Sequence, residues 1–185
     1  MSGSWVVPVA LVGPRASGKS TLAKALAARL GVSVSDTDAM ITAVHGPIRD
    51  QFARDGESVF RDREEQALRD ALALGGIISC GGGIVLRRAN RLLLATVQTV
   101  FLTAPVETLV ARVLADPCSH DQRPPLFADA PADREEMARE ETRRVLAARL
   151  PLYRSCSRLE IDTSASDVST MVAAIVARLP QRVPV

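Results

Sequence analysis

The sequence predicts an α/β fold in which a central parallel β-sheet carries helices on both faces. Short apolar runs alternate along the chain with longer segments whose apolar residues recur at helical spacing. Such alternation is typical of parallel sheets that are covered on both sides. The first run leads into a glycine-rich loop and then a helix, as this class of fold requires of a ligand-binding edge. Five runs are strand candidates: residues 6–12, 32–35, 77–80, 99–102 and 159–161.

The elements follow one another in a regular order. Residues 6–12 end at Gly13, and residues 21–30 then show helical apolar spacing that stops at Gly31, which predicts a strand, a glycine loop and a helix. Residues 118–132 interrupt the alternation with Pro, Asp, Ser and Gln, and we expect a mobile loop there. Further helices are predicted at residues 57–74, 88–95, 106–114, 133–150 and 167–179.

The composition favours one domain and excludes several kinds of partner. With 185 residues, of which 47% are hydrophobic, we expect a single domain over residues 1–185. The 23 basic residues are balanced by 21 acidic ones, and 3% aromatic content is too low for a base-stacking surface, so we expect no nucleic-acid partner. No apolar run reaches the roughly 18 residues of a membrane span. We expect a cytoplasmic monomer, without a membrane partner, whose three widely spaced cysteines are reduced.

A phosphate-binding loop stands between the first strand and the first helix. The pattern G-x-x-x-x-G-K-[ST] is matched in full, and its context is the one that gives the motif its meaning. Backbone N–H groups and the helix dipole hold phosphate oxygens, Lys19 reaches the β- and γ-phosphates, and Ser20 places its hydroxyl on Mg²⁺. Thr21 is the next helical residue. The loop consists of Gly13, Pro14, Arg15, Ala16, Ser17, Gly18, Lys19 and Ser20.

The P-loop alone does not identify the reaction, because switches, motors and kinases share it. The chain's one asparagine, Asn90, is followed by arginine, so the base-reading motif of regulatory GTPases is absent. Two carboxylates, Asp36 and Asp38, close the second apolar run and should emerge at the sheet edge that hosts the P-loop. Either one could instead cap a helix that starts near Ala39.

Six short motifs follow one another along nearly the whole chain. They are Gly-Lys-Ser-Thr at 18–21, Asp-Thr-Asp at 36–38, Gly-Glu at 56–57 with Phe-Arg at 60–61, three glycines at 81–83, Arg-Pro at 123–124 and Pro-Leu-Tyr at 151–153. In this order they resemble the shikimate kinases, a family of small P-loop kinases. The resemblance implies a three-layer P-loop kinase fold with a five-stranded parallel sheet. It also implies an acceptor-binding segment at about 37–63 and a mobile lid at about 115–130.

The same resemblance implies ATP and Mg²⁺ as cofactors and assigns residues to the nucleotide side. Asp36 would hold Mg²⁺ through water. Arg123, on the lid, would contact the transferring phosphoryl group and stabilise charge that is strongest in the transition state. Arg112 would lie against the adenine.

On the acceptor side, the resemblance gives Asp38 the central role. Asp38 would hydrogen-bond the acceptor hydroxyls and orient or deprotonate the attacking one. Arg61 and Arg149 would clamp the acceptor's carboxylate, a task suited to planar guanidinium groups with parallel donors. Glu64, one helical turn beyond Arg61, could hold that guanidinium in place.

The three glycines and the complete set of polar residues indicate the reaction. Gly81, Gly82 and Gly83 would let backbone N–H groups approach a hydroxylated ring, although a tight turn after the strand is the alternative. The implied reaction is phosphorylation of the shikimate 3-hydroxyl by ATP, giving shikimate 3-phosphate and ADP. The alternatives are a gluconate-type or nucleotide kinase, and a kinase-like regulator that binds nucleotide without turnover.

Overall fold

A five-stranded parallel sheet lies between two layers of helices. The computed structural model describes residues 8–116 and 133–179. Every strand pairing in them is parallel, and the strand order is β2-β3-β1-β4-β5. The predicted fold class is confirmed. The strands are β1 (Val9–Val12), β2 (Val34–Asp36), β3 (Ile77–Ser79), β4 (Gln98–Thr103) and β5 (Leu159–Asp162).

The helices of the described residues lie in the connections between the strands, except the last one, which follows β5. A 3₁₀ turn, Ile84–Leu86, follows the three glycines. The predicted helices at 88–95 and 106–114 are confirmed almost to the residue. The α-helices are α1 (Lys19–Leu30), α2 (Thr37–His45), α3 (Ile48–Leu74), α4 (Arg88–Ala95), α5 (Val106–Ala115), α6 (Arg134–Cys156) and α7 (Val168–Val176).

Strand β1 lies at the centre of the sheet and contributes to a hydrophobic core on each face. Val9 and Leu11 pack with α1 and α7, whereas Ala10 and Val12 pack on the opposite face with α3, α4 and α6. This alternation follows from the twofold side-chain period of a strand. On the second face the rings of Phe101 and Tyr153 stack with their centroids 5.0 Å apart. The continuous apolar run of β1 is therefore the signature of a strand that is buried on both sides.

Two thiols lie within this core. Cys80 and Cys156 are buried and not joined to each other, which is the placement expected of structural thiols. Burial raises the pKa of both thiols, so neither is a reactive thiolate at neutral pH. Cys118 lies outside the described residues.

The two helices between β2 and β3 agree only in part with the prediction. The helix near Ala39, considered from the sequence only as an alternative, is present as α2, and α3 begins at Ile48 rather than at residue 57. The predicted start, residue 57, directly follows Gly56, where φ 81° and ψ 170° bend α3 into two parts. The residues before this bend carry few apolar positions, Ile48 and Phe52 among them. They become helical because they pack on α2 in a small third cluster with Ile41 and Phe60.

Helix α6 runs past its predicted end. Residue 150 was expected to be its last, but the helix continues through Pro151 to Cys156. Proline inside a helix removes an N–H donor and costs about 3 kcal/mol or more. Burial of Tyr153 and Cys156 in the core beneath β4 compensates for this cost.

Three strand ends meet at one edge of the sheet. Ser79, at the end of β3, lies in register with Leu11 of β1 and with Asp36 of β2. The P-loop after β1, the start of α2 after β2 and the glycines after β3 therefore share this edge. No helix among residues 8–116 and 133–179 combines the length and apolar content that crossing a membrane requires.

Candidate active site

The P-loop curls tightly between β1 and α1. Gly13 has φ 152°, and a Cβ there would overlap the carbonyl oxygen of Leu102. Gly18 (φ 86°) is the N-cap of α1 and supplies no side chain to the first N–H groups of that helix. The Lys19 ammonium donates to the Pro14 carbonyl at 2.7 Å and to Ser17 Oγ at 3.4 Å. Uncapped N–H groups and an ammonium over the loop form a site for phosphate.

Among the residues that the structure describes, Ala16 is the one non-glycine residue whose φ is positive, at 58°. An L-residue in this left-handed region carries about 1–2 kcal/mol of strain, whereas glycine at the position adds some entropy to the unfolded chain. We expect Ala16→Gly to raise the free energy of unfolding by about 0.5–1 kcal/mol in chemical denaturation. Ala28→Gly, on the exposed face of α1, is the matched control and should lower it by about 1 kcal/mol. Equal destabilisation by both variants would contradict strain at Ala16.

Oxygen atoms from the ends of β2 and β3 converge on Ser20, in the first turn of α1. Its hydroxyl donates to Asp36 Oδ2 at 3.1 Å and lies 3.2 Å from Ser79 Oγ. The other carboxylate oxygen of Asp36 accepts the backbone N–H of Ala39 at 3.1 Å. Asp36 therefore caps α2, the alternative considered from the sequence, and contacts Ser20 at the same time. The sequence analysis did not predict Ser79 as a site residue, although a single serine near the end of an apolar run could have indicated it.

The three glycines pack against Asp38, Arg61 and the P-loop. A Cβ at Gly81 would overlap Asp38 Oδ1, and one at Gly83 would overlap the guanidinium of Arg61. At Gly82 the corresponding position lies 3.6 Å from the carbonyl oxygen of Gly13. Gly81 and Gly83 are thus needed for the close approach of Asp38 and Arg61, whereas Gly82 makes an ordinary van der Waals contact; the approach of N–H groups to an acceptor ring stays a prediction. The Gly81 N–H is already used, because it donates to Thr37 Oγ1 at 2.9 Å.

Arg149 reaches the same glycines from α6. Its Nη1 donates to the Gly82 carbonyl at 3.0 Å, and the Tyr153 hydroxyl donates to the same oxygen at 2.6 Å. The fold therefore brings together Asp38, Arg61 and Arg149, which are distant in sequence, around residues 81–83.

Arg61 is held by charge and by aromatic rings. Nη1 donates to the buried Glu64, whereas Nε and Nη2 donate to Glu57 Oε1 at 3.2 and 2.9 Å. Its Cζ lies 5.8 Å from the centroid of Phe52 and 5.5 Å from that of Phe60, within cation–π range. Burial works to lower the pKa of Arg61, but the two carboxylates outweigh it and the pKa is raised. Arg61 is a fixed positive charge.

Arg112 lies beside the P-loop. It donates to the carbonyl and hydroxyl of Thr163 at 2.8 and 2.9 Å and to the Ala16 carbonyl at 3.3 Å. These bonds tie the turn after β5 to the phosphate loop, and the adenine contact stays a prediction. Arg123 and nearly all of the predicted lid, 115–130, lie outside the described residues.

Comparison with known proteins identifies the family. The family model for shikimate kinase matches residues 15–180. The chain belongs to the shikimate kinase family. It is 47% identical over 159 residues to the shikimate kinase of Nitratidesulfovibrio vulgaris, covering 84% of this chain and 86% of the relative. The shikimate kinase of Syntrophus aciditrophicus is 38% identical over 177 residues, 92% of this chain and 89% of the relative.

Solved structures agree with this assignment. Shikimate kinase from Acinetobacter baumannii in complex with shikimate superposes with a TM-score of 0.80 at 28% identity, over 95% of this chain and 96% of that one. The shikimate kinase of Bacteroides thetaiotaomicron gives a TM-score of 0.78 at 25% identity, over 94% and 96%. The resemblance predicted from six motifs is confirmed.

Proposed function

We propose that this chain is a shikimate kinase that transfers the γ-phosphoryl group of ATP to the 3-hydroxyl of shikimate, giving shikimate 3-phosphate and ADP. The observation that carries the proposal is the packing of Asp38 and Arg61 against Gly81 and Gly83, next to the P-loop. A phosphate site alone suits many reactions, whereas a carboxylate beside a fixed guanidinium suits an acceptor with hydroxyls and a carboxylate. The solved Acinetobacter baumannii relative is a complex with shikimate.

On the nucleotide side, catalysis consists mainly of positioning and charge stabilisation. The backbone N–H groups of residues 13–20 and the N-terminus of α1 hold the phosphates. Lys19 exchanges its bond to the Pro14 carbonyl for a phosphate oxygen and places its charge between the β- and γ-phosphates. We assign the phosphoryl contact of the transition state to Arg123 and the adenine contact to Arg112.

On the acceptor side, Asp38 positions the reacting hydroxyl. Its carboxylate accepts the hydroxyl hydrogen and orients the oxygen for attack on the γ-phosphorus, and it receives the proton as the new bond forms. Arg61 and Arg149 bind the acceptor's carboxylate on the other side of the ring. Because the acceptor is held at its hydroxyl and at its carboxylate, its orientation determines which hydroxyl faces the nucleotide.

The oxygens around Ser20 suit Mg²⁺. This ion takes oxygen ligands, keeps several waters and is usually bound by one or two carboxylates together with phosphates. The hydroxyls of Ser20 and Ser79 and the carboxylate of Asp36 supply such oxygens, and the described residues contain no cluster of three or more His, Cys, Asp or Glu that would suit another metal. Ser20 would bind Mg²⁺ directly and Asp36 through water. When bound, Mg²⁺ neutralises charge on the β- and γ-phosphates.

The proposed enzyme works as a monomer in the cytoplasm, where ATP is available. In support, Asp38, Arg61, Arg149 and the P-loop all come from one chain. A partner subunit is not needed to complete this set.

The reaction is tested by supplying ATP and Mg²⁺ with shikimate, quinate or gluconate. We expect ADP release with shikimate, and mass spectrometry with ³¹P NMR should place the phosphate on the 3-hydroxyl. A product from gluconate alone would point to a gluconate-type kinase. Nucleotide binding without any phosphorylated product would favour a non-catalytic regulator.

A further inference from the structure

The guanidinium of Arg61 is paired with two glutamates, and the two pairs differ in exposure. The Glu64 side chain is 1% exposed, whereas that of Glu57 is 63% exposed. Nη1 faces the buried partner, and the adjacent donors Nε and Nη2 face the exposed one. The inner pair is part of the protein core, and the outer pair is at the surface.

The surroundings of Arg61 limit how an acceptor's carboxylate can reach it. The position of a Cβ on Gly83 would lie 2.9 Å from Cζ, so backbone packs closely against the guanidinium. Phe52 and Phe60 approach it from α3. Arginine binds a carboxylate best through two parallel donors. The Nε and Nη2 donors form such a pair, and Glu57 occupies both of them with one oxygen.

The two ion pairs differ in the free energy that is needed to break them. An exposed ion pair one helical turn apart contributes little, because water and salt screen it. Removing a partner from a buried pair leaves an uncompensated charge and is far more costly. The pair with Glu57 is therefore the less costly of the two to exchange for another carboxylate.

We propose that Glu57 is a displaceable counter-ion that occupies Arg61 until the carboxylate of the acceptor takes its place. The inference rests on the proposed function and assigns a specificity role to a residue on the first turn after the bend at Gly56. Exchange of one carboxylate for another keeps Arg61 neutralised throughout. Glu57 therefore lowers the affinity of every anion that competes for Arg61, whereas a neutral ligand that does not displace Glu57 is unaffected.

The test is Glu57→Gln, which keeps the shape of the side chain and removes its charge. Without the competing charge, the variant should bind shikimate about two- to fivefold more tightly than wild type in calorimetry without nucleotide. Its affinity for the uncharged methyl ester of shikimate should stay unchanged. Asp62→Asn is the matched control, since Asp62 is equally exposed at 63% on the same helix but pairs with Arg87. That variant should bind both compounds as wild type does.

Three results would overturn the inference. Equal or weaker binding of shikimate by Glu57→Gln would mean that Glu57 orients Arg61 or has no part in binding. An equal gain for shikimate and its methyl ester would exclude charge competition. A gain of the same size in Asp62→Asn would reduce the effect to general electrostatics. Failure of the wild-type protein to bind shikimate would instead refute the proposed function, and wild-type binding separates the two cases.

Discussion

Asp38→Asn is expected to lower kcat for shikimate phosphorylation by about 10²–10⁴-fold, the range for loss of a general base. Asparagine has the size and shape of aspartate, so the close packing against Gly81 is kept. The amide still hydrogen-bonds a hydroxyl but does not accept its proton. ATP affinity should stay near the wild-type value, because the P-loop is formed by other residues. Single-turnover kinetics, with nucleotide binding measured separately, test both statements.

Asp62→Asn is a suitable control for the kinetic experiment as well. It removes an exposed carboxylate from α3 without touching the glycines or the P-loop, and its kcat should equal that of the wild type. A kcat of Asp38→Asn within about threefold of wild type would remove Asp38 from the role of base, because a proton acceptor contributes at least about 10²-fold. A large rise in KM with unchanged kcat would leave it as a binding residue only.

The nucleotide side could be predicted from the sequence because it is local. Eight consecutive residues, 13–20, form the loop, and the apolar runs around them fix the strand and helix that present it. Asp36 follows from the same logic, since parallel strands end at one edge. Ser79 meets Ser20 there too, but its role depends on the strand order, in which β3 lies between β2 and β1. Composition and spacing do not give that order.

The acceptor side could not be derived from local patterns. Many of the arginines belong to solvated helix faces, and Arg139, Arg143 and Arg144 do pair with glutamates of α6 as that interpretation requires. Arg149 lies on the same helix and differs only in where α6 passes the glycines. Arg149 was predicted as a site residue from the family resemblance, and tertiary packing explains why it differs from the other arginines of α6. The particular pairing of Glu57 with Arg61 could be recognised only in the structure, because an exposed glutamate four residues from an arginine is common on helices.

Pro151 shows how packing overrides a local rule. The predicted end of α6 at residue 150 agrees with the preference of proline for helix starts. The helix continues because Tyr153 must reach both the core and the Gly82 carbonyl. The last turns of α6 therefore fix the backbone that Arg149 also binds, so the fold and the acceptor site share the same contact.

Gly83→Ala is expected to raise KM for shikimate by about 10–100-fold, equivalent to about 1.4–2.8 kcal/mol of binding free energy. Gly83 has φ −93° and ψ −6°, a conformation of negative φ that is allowed for alanine, so the backbone should not change. The added methyl group collides instead with the guanidinium of Arg61. Arg61 must move away from the acceptor's carboxylate. KM for ATP should stay unchanged, and steady-state kinetics with each substrate varied in turn measure both constants.

A double-mutant cycle with Arg61→Ala separates displacement of the guanidinium from a general disturbance of the glycine turn. If Gly83→Ala acts by moving Arg61, it has nothing left to move once Arg61 is truncated. The added methyl should then cost less than about twofold in KM, and the coupling energy should reach about 1–3 kcal/mol, as for residues in contact. Independent, additive effects would show that the methyl group disturbs residues 81–83 themselves. In that case the position of Arg61 would not depend on the absence of a Cβ at residue 83. The requirement for a carboxylated acceptor would not depend on it either.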